Sequence, residues 1–150
     1  MIQLRLVQKS EIAWVNTCYD QVEFMHSSFD NEIISVAEFD GQRAGLGRLV
    51  KIDEKHLELG GMYVFEPFRK KGIAKEMVKF LLNYVKPSQI VYCIPFEHLL
   101  SFYKECGFTT CLHFESVPKK ILDKLRWCQE KYIHPTVLLV LESAAKNTRV

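Results

Sequence analysis

A basic turn in the middle of the chain joins an apolar segment to a helix-forming segment. Three cations directly precede two small residues where the helical pattern begins, in the run Arg69-Lys70-Lys71-Gly72-Ile73-Ala74. The first backbone N–H groups of a helix have no partner within the helix and lie at the positive end of its dipole. Small residues leave those groups open to a ligand. The segment therefore predicts a cradle for a diphosphate group.

An apolar strand leads into this turn and an amphipathic helix leaves it. The strand is predicted from about His56 to Phe65. Apolar residues then recur at three- and four-residue steps, at Ile73, Met77, Phe80, Leu81 and Tyr84. This spacing predicts one buried face of a helix, which Pro87 ends. Gln89 to Ile94 predicts a second strand, and the strand-helix-strand order implies a parallel pair.

The residues before the turn predict a strand, a helix and a hairpin. Ile2 to Val7 alternate as a half-buried strand does, and Ser10 is placed to cap a helix that carries Val15 and Tyr19. Ile33 to Phe39 and Ala44 to Ile52 are strand-forming and flank the turn Asp40-Gly41. Together with the strand from His56, three antiparallel strands precede the basic turn.

The residues after the parallel pair predict two helices and two strands. Leu99 to Cys106 predicts a helix that ends at a left-handed Gly107. Phe108 to Phe114 and Thr136 to Glu142 predict the last two strands. Between them, Pro118 to Tyr132 has apolar residues at helical spacing. The charged residues predicted on the outer face of this extra helix are Lys119, Lys120, Asp123, Lys124 and Glu130.

Two motifs resemble one known family. The Arg-x-x-Gly-x-Ala pattern after an apolar strand is similar to the acetyl-CoA signature of the GNAT N-acetyltransferases. The run Phe102-Tyr103-Lys104-Glu105-Cys106-Gly107-Phe108 is similar to the family's later Tyr-x-x-x-Gly-Phe segment, in the expected order. The resemblance covers roughly residues 32–115. It implies an α/β fold with a mixed, mostly antiparallel sheet of about seven strands, a splayed parallel pair and flanking helices, to which this chain adds the helix between the last two strands.

The resemblance also implies acetyl-CoA as the cosubstrate and a set of residues that bind it. The backbone of three residues in the strand would pair with the pantetheine amides: Met62, Tyr63 and Val64. Backbone N–H groups would hold the diphosphate at Lys71, Gly72, Ile73 and Ala74. Cations would lie around the mouth and near the ribose, at Arg69, Lys70 and Lys75, with Lys79 as an alternative to Lys75.

The implied reaction is direct transfer of the acetyl group to a primary amine. Tyr103 matches the family tyrosine that donates a proton to the leaving thiolate. Glu58, on the strand before Gly60 and Gly61, is the candidate base, and His56, His98 or a water relay are the alternatives. The glycine pair suggests a bulge that would turn an N–H toward the reacting carbonyl oxygen. Where many members have an asparagine before the tyrosine helix, this chain has Pro95-Phe96-Glu97-His98, and Ser101 is a partial substitute.

The acceptor is left open between a small-molecule amine and a peptide or protein amine. The loop from Phe24 to Asn31 and the extra helix are expected to line its entrance, and Arg48 is a candidate anion anchor. The alternative function is a catalytically silent CoA-binding sensor or partner-binding module, which would need neither Tyr103 nor Glu58.

Composition limits the number of domains and the kinds of partner that we expect. With 150 residues, of which 48% are hydrophobic, we expect a single acetyltransferase domain over residues 1–150. The net charge of +2 argues against nucleic acid as a partner. No apolar run approaches the roughly 20 residues of a membrane span, so we expect a cytoplasmic protein without a membrane partner. A homodimer is compatible with the sequence.

The cysteines do not predict a metal site or disulfides. Their number is five, and they are scattered, which is typical of reduced thiols. Cys106, Cys111 and His113 lack the spacing and the fourth ligand of a zinc site, so no metal is predicted.

Overall fold

The computed structural model describes residues 1–142, so residues 143–150 of the predicted domain lie outside the described part. The strands are β1 (Ile2–Leu6), β2 (Glu32–Phe39), β3 (Gln42–Lys51), β4 (His56–Val64), β5 (Ile90–Cys93), β6 (Thr109–Thr110) and β7 (Leu139–Leu141). The α-helices are α1 (Ile12–Asp20), α2 (Ile73–Leu82), α3 (Leu100–Glu105) and α4 (Lys119–Lys131).

The seven strands form one mixed sheet in the order β1-β2-β3-β4-β5-β7-β6. The pairs β1-β2, β2-β3, β5-β7 and β6-β7 are antiparallel. The pair β4-β5 is parallel, with its register running from His56↔Ile90 to Leu59↔Cys93, while β4 continues to Val64. This topology confirms the predicted fold class, including the parallel pair and the extra helix α4 between β6 and β7.

The fold consists of two compact units. The first contains residues 1–50 and 60–84, and its core includes Val15, Tyr19, Val36 and Leu46. Ile73, Met77 and Leu81 of α2 are buried, as the three- and four-residue spacing predicted. Of the other residues predicted on this face, Phe80 is half-buried, and Tyr84 lies past the end of the helix and is 43% exposed.

The second unit contains residues 51–59 and the residues from 85 onward. In its core, Ile121 and Leu125 of α4 pack with Tyr92 of β5 and with Leu138. Helix α4 is amphipathic and covers this apolar cluster with one face, as its residue spacing predicted.

Three local predictions were wrong in detail. Ser10 does not cap α1; a capping box between Gln8 and Glu11 stabilises a 3-10 turn over Lys9–Glu11 that leads into it. The strand expected over Phe108 to Phe114 has only Thr109–Thr110 in ladder pairing, and the final strand begins at Leu139 and not at Thr136.

Among residues 1–142, no helix has both the length and the apolar character needed to cross a membrane.

Candidate active site

The predicted cradle lies in the first unit, at the start of α2. Gly72 has φ +81 and precedes the helix, which has no side-chain cap. The first helical hydrogen bond there runs from the Glu76 N–H to the Gly72 carbonyl oxygen, at 3.2 Å. The N–H groups of Ile73 and Ala74 therefore precede the first intrahelical donor. Apart from Gly72 and its two chain neighbours, no described residue has an atom within 4 Å of the position that a Gly72 Cβ would take, so this helix start is open.

The three cations of the turn, Arg69, Lys70 and Lys71, are exposed. The Arg69 Nε donates to the Val64 carbonyl oxygen at 3.0 Å, which ties the turn to the end of β4. The Lys71 ammonium lies 5.0 Å from the ring centre of Phe39. Lys70 has φ +65, a left-handed conformation that is uncommon for a residue with a side chain.

Gly61 is the one left-handed residue within β4, with φ +60. The Tyr19 hydroxyl donates to its carbonyl oxygen at 2.8 Å. A Cβ at this position would lie 2.6 Å from the Tyr19 hydroxyl oxygen and 2.8 Å from the Arg48 Nε. Only glycine therefore fits. The sequence predicts only a helical position for Tyr19 and does not predict this contact, because no local pattern connects residues 42 positions apart.

Arg48, the candidate anion anchor, is buried on β3 with 3% exposure. Its guanidinium donates to the Ser27 hydroxyl and, at 3.0 Å, to the Met25 carbonyl oxygen. It also lies 4.4 Å from the ring centre of Tyr19. Its Nε has no hydrogen-bond partner within residues 1–142. Arg48 thus holds the loop that was expected to line the acceptor entrance.

Glu58, the candidate base, lies in the second unit and is ion-paired. Its Oε2 accepts a hydrogen bond from the Lys124 ammonium at 2.7 Å. The side chains of Glu58 and Lys124 are 5% and 20% exposed. The prediction that Lys124 lies on the outer face of α4 was wrong. Lys124 follows the buried Ile121 by three positions and precedes the buried Cys128 by four, so helical spacing places it beside them, and its ammonium reaches the buried carboxylate.

Tyr103 is buried in α3, with 4% exposure, between the rings of Phe102 and Phe108. Burial raises the pKa of its phenol well above 10, and the neighbouring Cys93 and Cys106 thiols act in the same direction. The phenol therefore stays protonated across the neutral range and is a hydrogen-bond donor. Burial also raises the pKa of Cys93, which makes that thiol a poor nucleophile.

The two alternative bases have other partners. The Nδ1 of His56 lies 2.8 Å from the Asp53 carboxylate, and its ring stacks on Tyr92 with centres 6.0 Å apart. His98 is exposed and stacks on Phe96, with centres 5.8 Å apart. Within the described part of the chain, no three His, Cys, Asp or Glu residues are arranged to hold a metal ion.

Three solved structures show the same fold at low sequence identity. N-acetylglutamate synthase of Neisseria gonorrhoeae, complexed with CoA and L-arginine, is 14% identical with a TM-score of 0.70, over 94% of this chain and 33% of its own. This chain thus spans about a third of that synthase. A GNAT family acetyltransferase of Elizabethkingia anophelis with acetyl-CoA bound is 14% identical with a TM-score of 0.67, over 94% of this chain and 97% of its own. A variant of the spermidine N-acetyltransferase SpeG of Vibrio cholerae is 14% identical with a TM-score of 0.71, over 99% and 97%.

Sequence comparison supplies the family. No curated protein sequence matches the chain. The model of the acetyltransferase (GNAT) family matches residues 4–108, a range that includes both the basic turn and the segment around Tyr103. This match confirms the family that the two sequence motifs resemble. The chain belongs to the GNAT family of acetyltransferases.

Proposed function

We propose that this protein transfers the acetyl group of acetyl-CoA directly to a primary amine, within a single domain over residues 1–150. The open start of α2 carries the proposal. Gly72 leaves space where a side chain would lie, and uncapped N–H groups follow it in a basic turn. Such a helix start binds anions through both its N–H groups and its dipole.

The coenzyme would lie along the end of β4 and the turn that follows. The residues proposed for its pantetheine arm are Met62, Tyr63 and Val64, through their backbone groups. Those proposed for the diphosphate are Lys71, Gly72, Ile73 and Ala74, again through the backbone. Those proposed for the mouth and the ribose side are Arg69, Lys70 and Lys75. The side chains of Arg69, Lys70, Lys71 and Lys75 are exposed, which supports their access to a ligand.

Glu58 is proposed as the base that takes a proton from the acceptor amine, directly or through a water. It lies on β4, four positions before the first residue proposed for pantetheine, and its burial suits a base that acts away from solvent. His56 stays an alternative, because the Asp53 carboxylate contacts its Nδ1 and such a contact leaves Nε2 as the basic nitrogen. His98 is less suitable because its ring is exposed.

Tyr103 is proposed to donate a hydrogen bond to the departing CoA thiolate. Its raised pKa makes it a weaker acid than a free phenol, which has a pKa of about 10. Stabilisation of the thiolate by a donated hydrogen bond therefore fits better than complete early proton transfer. The attacking nitrogen forms the new N–C bond while the C–S bond breaks, and a proton that leaves the nitrogen balances the thiol product. No acyl-enzyme is needed.

The acceptor class is open between small amines and peptide amines. The neighbours named above include an N-acetylglutamate synthase and a spermidine N-acetyltransferase, so both amino acids and polyamines belong in the test panel. The loop from Phe24 to Asn31 and α4 are proposed to line the entrance. The five cysteines are all free, which fits a reducing compartment, and we propose the cytoplasm as the place of reaction.

The decisive experiment measures acetyl-CoA binding by calorimetry for the wild type, Gly72→Glu and Gly41→Glu. The two glycines are matched, because each has a positive φ, +81 and +84, and each has open space where a Cβ would lie. Both variants therefore introduce the same strain and the same charge. We expect Gly72→Glu to abolish binding and Gly41→Glu to retain it.

Thiol release over a panel of polyamines, amino acids and peptides then separates an enzyme from a binding module. Turnover with any amine supports acetyl transfer and identifies the acceptor class. Equal affinity of the two glutamate variants for acetyl-CoA would disprove the cradle. Binding without thiol release from any member of the panel would disprove the transferase.

A further inference from the structure

Lys124 is more buried than three other ion-paired lysines among residues 1–142. Lys51, Lys79 and Lys119 form pairs in which the lysine side chain is 44%, 66% and 87% exposed. The Lys124 side chain is 20% exposed, and its partner Glu58 is 5% exposed. Ion pairs on the surface have little effect on stability, and a buried carboxylate is rarely left without a partner. The Lys124–Glu58 ion pair is therefore part of the packed interior of the second unit.

The packing of α4 sets the position of this lysine. Ile121 and Leu125, on either side of it in the helix, are buried with Tyr92. Tyr92 is the residue of β5 that lies opposite Glu58 in the parallel register. The apolar face of α4 is thus anchored beside the strand position from which Glu58 projects. The lysine amine is held at the carboxylate by the core and not by a chance surface contact.

The 2.7 Å contact has the geometry that an acceptor amine needs. An amine must lose a proton before it attacks a thioester, and a general base must lie within hydrogen-bond distance of that proton. The Lys124 nitrogen meets this condition at the group proposed as the base. On this ground, and on the proposed function, we infer that Lys124 is a self-acetylation site of this protein, with acetyl-CoA as the donor.

The step balances without a further reactant. The Lys124 ammonium gives one proton to the Glu58 carboxylate, and the neutral nitrogen attacks the carbonyl carbon of the acetyl group. The N–C bond forms, the C–S bond breaks, and the CoA thiolate leaves as the thiol with the second proton that the nitrogen loses. The product is an uncharged amide, so Glu58 loses the cation that it is paired with, and once it has released the proton to solvent its carboxylate becomes available to an external amine.

The test incubates the full-length protein with acetyl-CoA alone and follows acetylation of each lysine by peptide mass spectrometry. Lys120 is the internal control, because it is an exposed lysine on the same helix. We expect Lys124 to be acetylated about a hundredfold faster than Lys120, the lower end of what a positioned base contributes. The rate constant should be independent of protein concentration, because the reaction occurs within one molecule.

Four variants distinguish self-acetylation of Lys124 from uncatalysed acetylation by acetyl-CoA. Lys124→Arg keeps the cation and should remove the label, whereas Lys120→Arg should leave labelling of Lys124 unchanged. Glu58→Gln and Gly72→Glu should each reduce labelling of Lys124 to the rate of Lys120. Circular dichroism of each variant verifies that the fold is retained. Labelling of Lys124 that is no faster than that of Lys120, or that Glu58→Gln does not slow, overturns the inference.

Release of the CoA thiol with external amines, measured on the same preparation, distinguishes failure of self-acetylation from failure of the proposed function. Turnover of an external amine without acetylation of Lys124 rejects self-acetylation and leaves the proposed function standing. Absence of both reactions rejects the two together.

Discussion

The hydroxyl of Tyr19 donates a hydrogen bond to the carbonyl oxygen of Gly61 at 2.8 Å, and this bond joins α1 to the only left-handed residue of β4. Gly61 directly precedes Met62, the first residue proposed to pair with pantetheine. Tyr19 has 0% exposure, and burial raises the pKa of its phenol, so it remains a donor at all physiological pH values. The strand irregularity is thus held in place from the helix side.

Gly61→Ala should destabilise the first unit strongly. The substitution introduces a Cβ into a left-handed residue and brings it 2.6 Å from the Tyr19 hydroxyl oxygen. Left-handed strain costs about 1–2 kcal/mol and overpacking adds about 1–3 kcal/mol, so we expect a loss of about 3 kcal/mol in the free energy of unfolding. Urea unfolding measures it.

Gly41→Ala is the matched control, because Gly41 has φ +84 and open space around the added carbon. It should cost only the strain, about 1–2 kcal/mol. Equal losses in the two variants would mean that the contact with Tyr19 has no energetic effect.

Arg48→Gln should loosen the loop at Met25 and Ser27. The substitution removes a buried guanidinium that donates to the Ser27 hydroxyl and to the Met25 carbonyl oxygen. Both acceptors then lose these hydrogen bonds. We expect a loss of about 2–3 kcal/mol in stability and faster hydrogen exchange over residues 25–31. If the loop lines the acceptor entrance, KM for the amine should rise more than KM for acetyl-CoA.

Arg43→Gln provides the comparison, because Arg43 is also stacked on an aromatic ring but is 43% exposed in its ion pair with Glu11. Removal of its charge should lower the free energy of unfolding by no more than about 1 kcal/mol and leave the hydrogen-exchange rates of the loop unchanged. Similar exchange rates over residues 25–31 in both variants would contradict the role of Arg48.

The elements of the fold could be predicted where the signal was local. The start of α2 at Gly72 and the span of α4 were predicted correctly, because glycine punctuation and helical periodicity operate within a few residues. The strand after Phe108 was predicted too long, since an apolar run does not reveal where its ladder partner ends. Here only Leu139 and Val140 of β7 pair with β6.

The side-chain contacts of the candidate site were beyond local patterns. Glu58 was proposed as the base from its place before Gly60 and Gly61, but its ion pair with Lys124, 66 positions away, was not predicted. Tyr19 and Gly61 are 42 positions apart, and each alone has an ordinary interpretation, as a core tyrosine and as a bulge glycine. Such contacts depend on the order of strands in the sheet and on the packing of helices over it, which no short segment specifies.

Acid should destabilise the protein through Glu11. Hydrogen bonding to Arg5 lowers the pKa of this buried carboxyl from 4.5 to about 2, with further contributions from Gln8 and Arg43. A depressed pKa in the folded state contributes stability that is present above the unfolded value and is lost as the pH falls from about 4.5 to about 2. Because both arginines are partly exposed, we expect a contribution of about 2 kcal/mol.

Urea unfolding of the wild type and Glu11→Gln across this pH range measures that contribution. The difference in stability between the two proteins should shrink as the pH falls and approach zero near pH 2. Subtraction removes the effects of the other carboxylates, which the two proteins share. A difference that stays constant from neutral pH to pH 2 would show that Glu11 acts through packing and not through its charge.

Tyr103→Phe should lower kcat and leave acetyl-CoA affinity unchanged. The substitution removes only the hydroxyl, so the ring contacts with Phe102 and Phe108 remain. Loss of a positioned donor at the leaving group should reduce kcat about a hundredfold. Since burial raises the pKa of Tyr103 well above 10, the wild-type rate should show no decline from tyrosine ionisation below that pH.

Tyr92→Phe is the control, because Tyr92 is another buried tyrosine of the same unit, and this variant should keep its activity. A wild-type rate that falls with an apparent pKa near 9, and a Tyr103→Phe variant that loses this fall, would show that the phenol ionises during turnover and would contradict its role as a permanent donor.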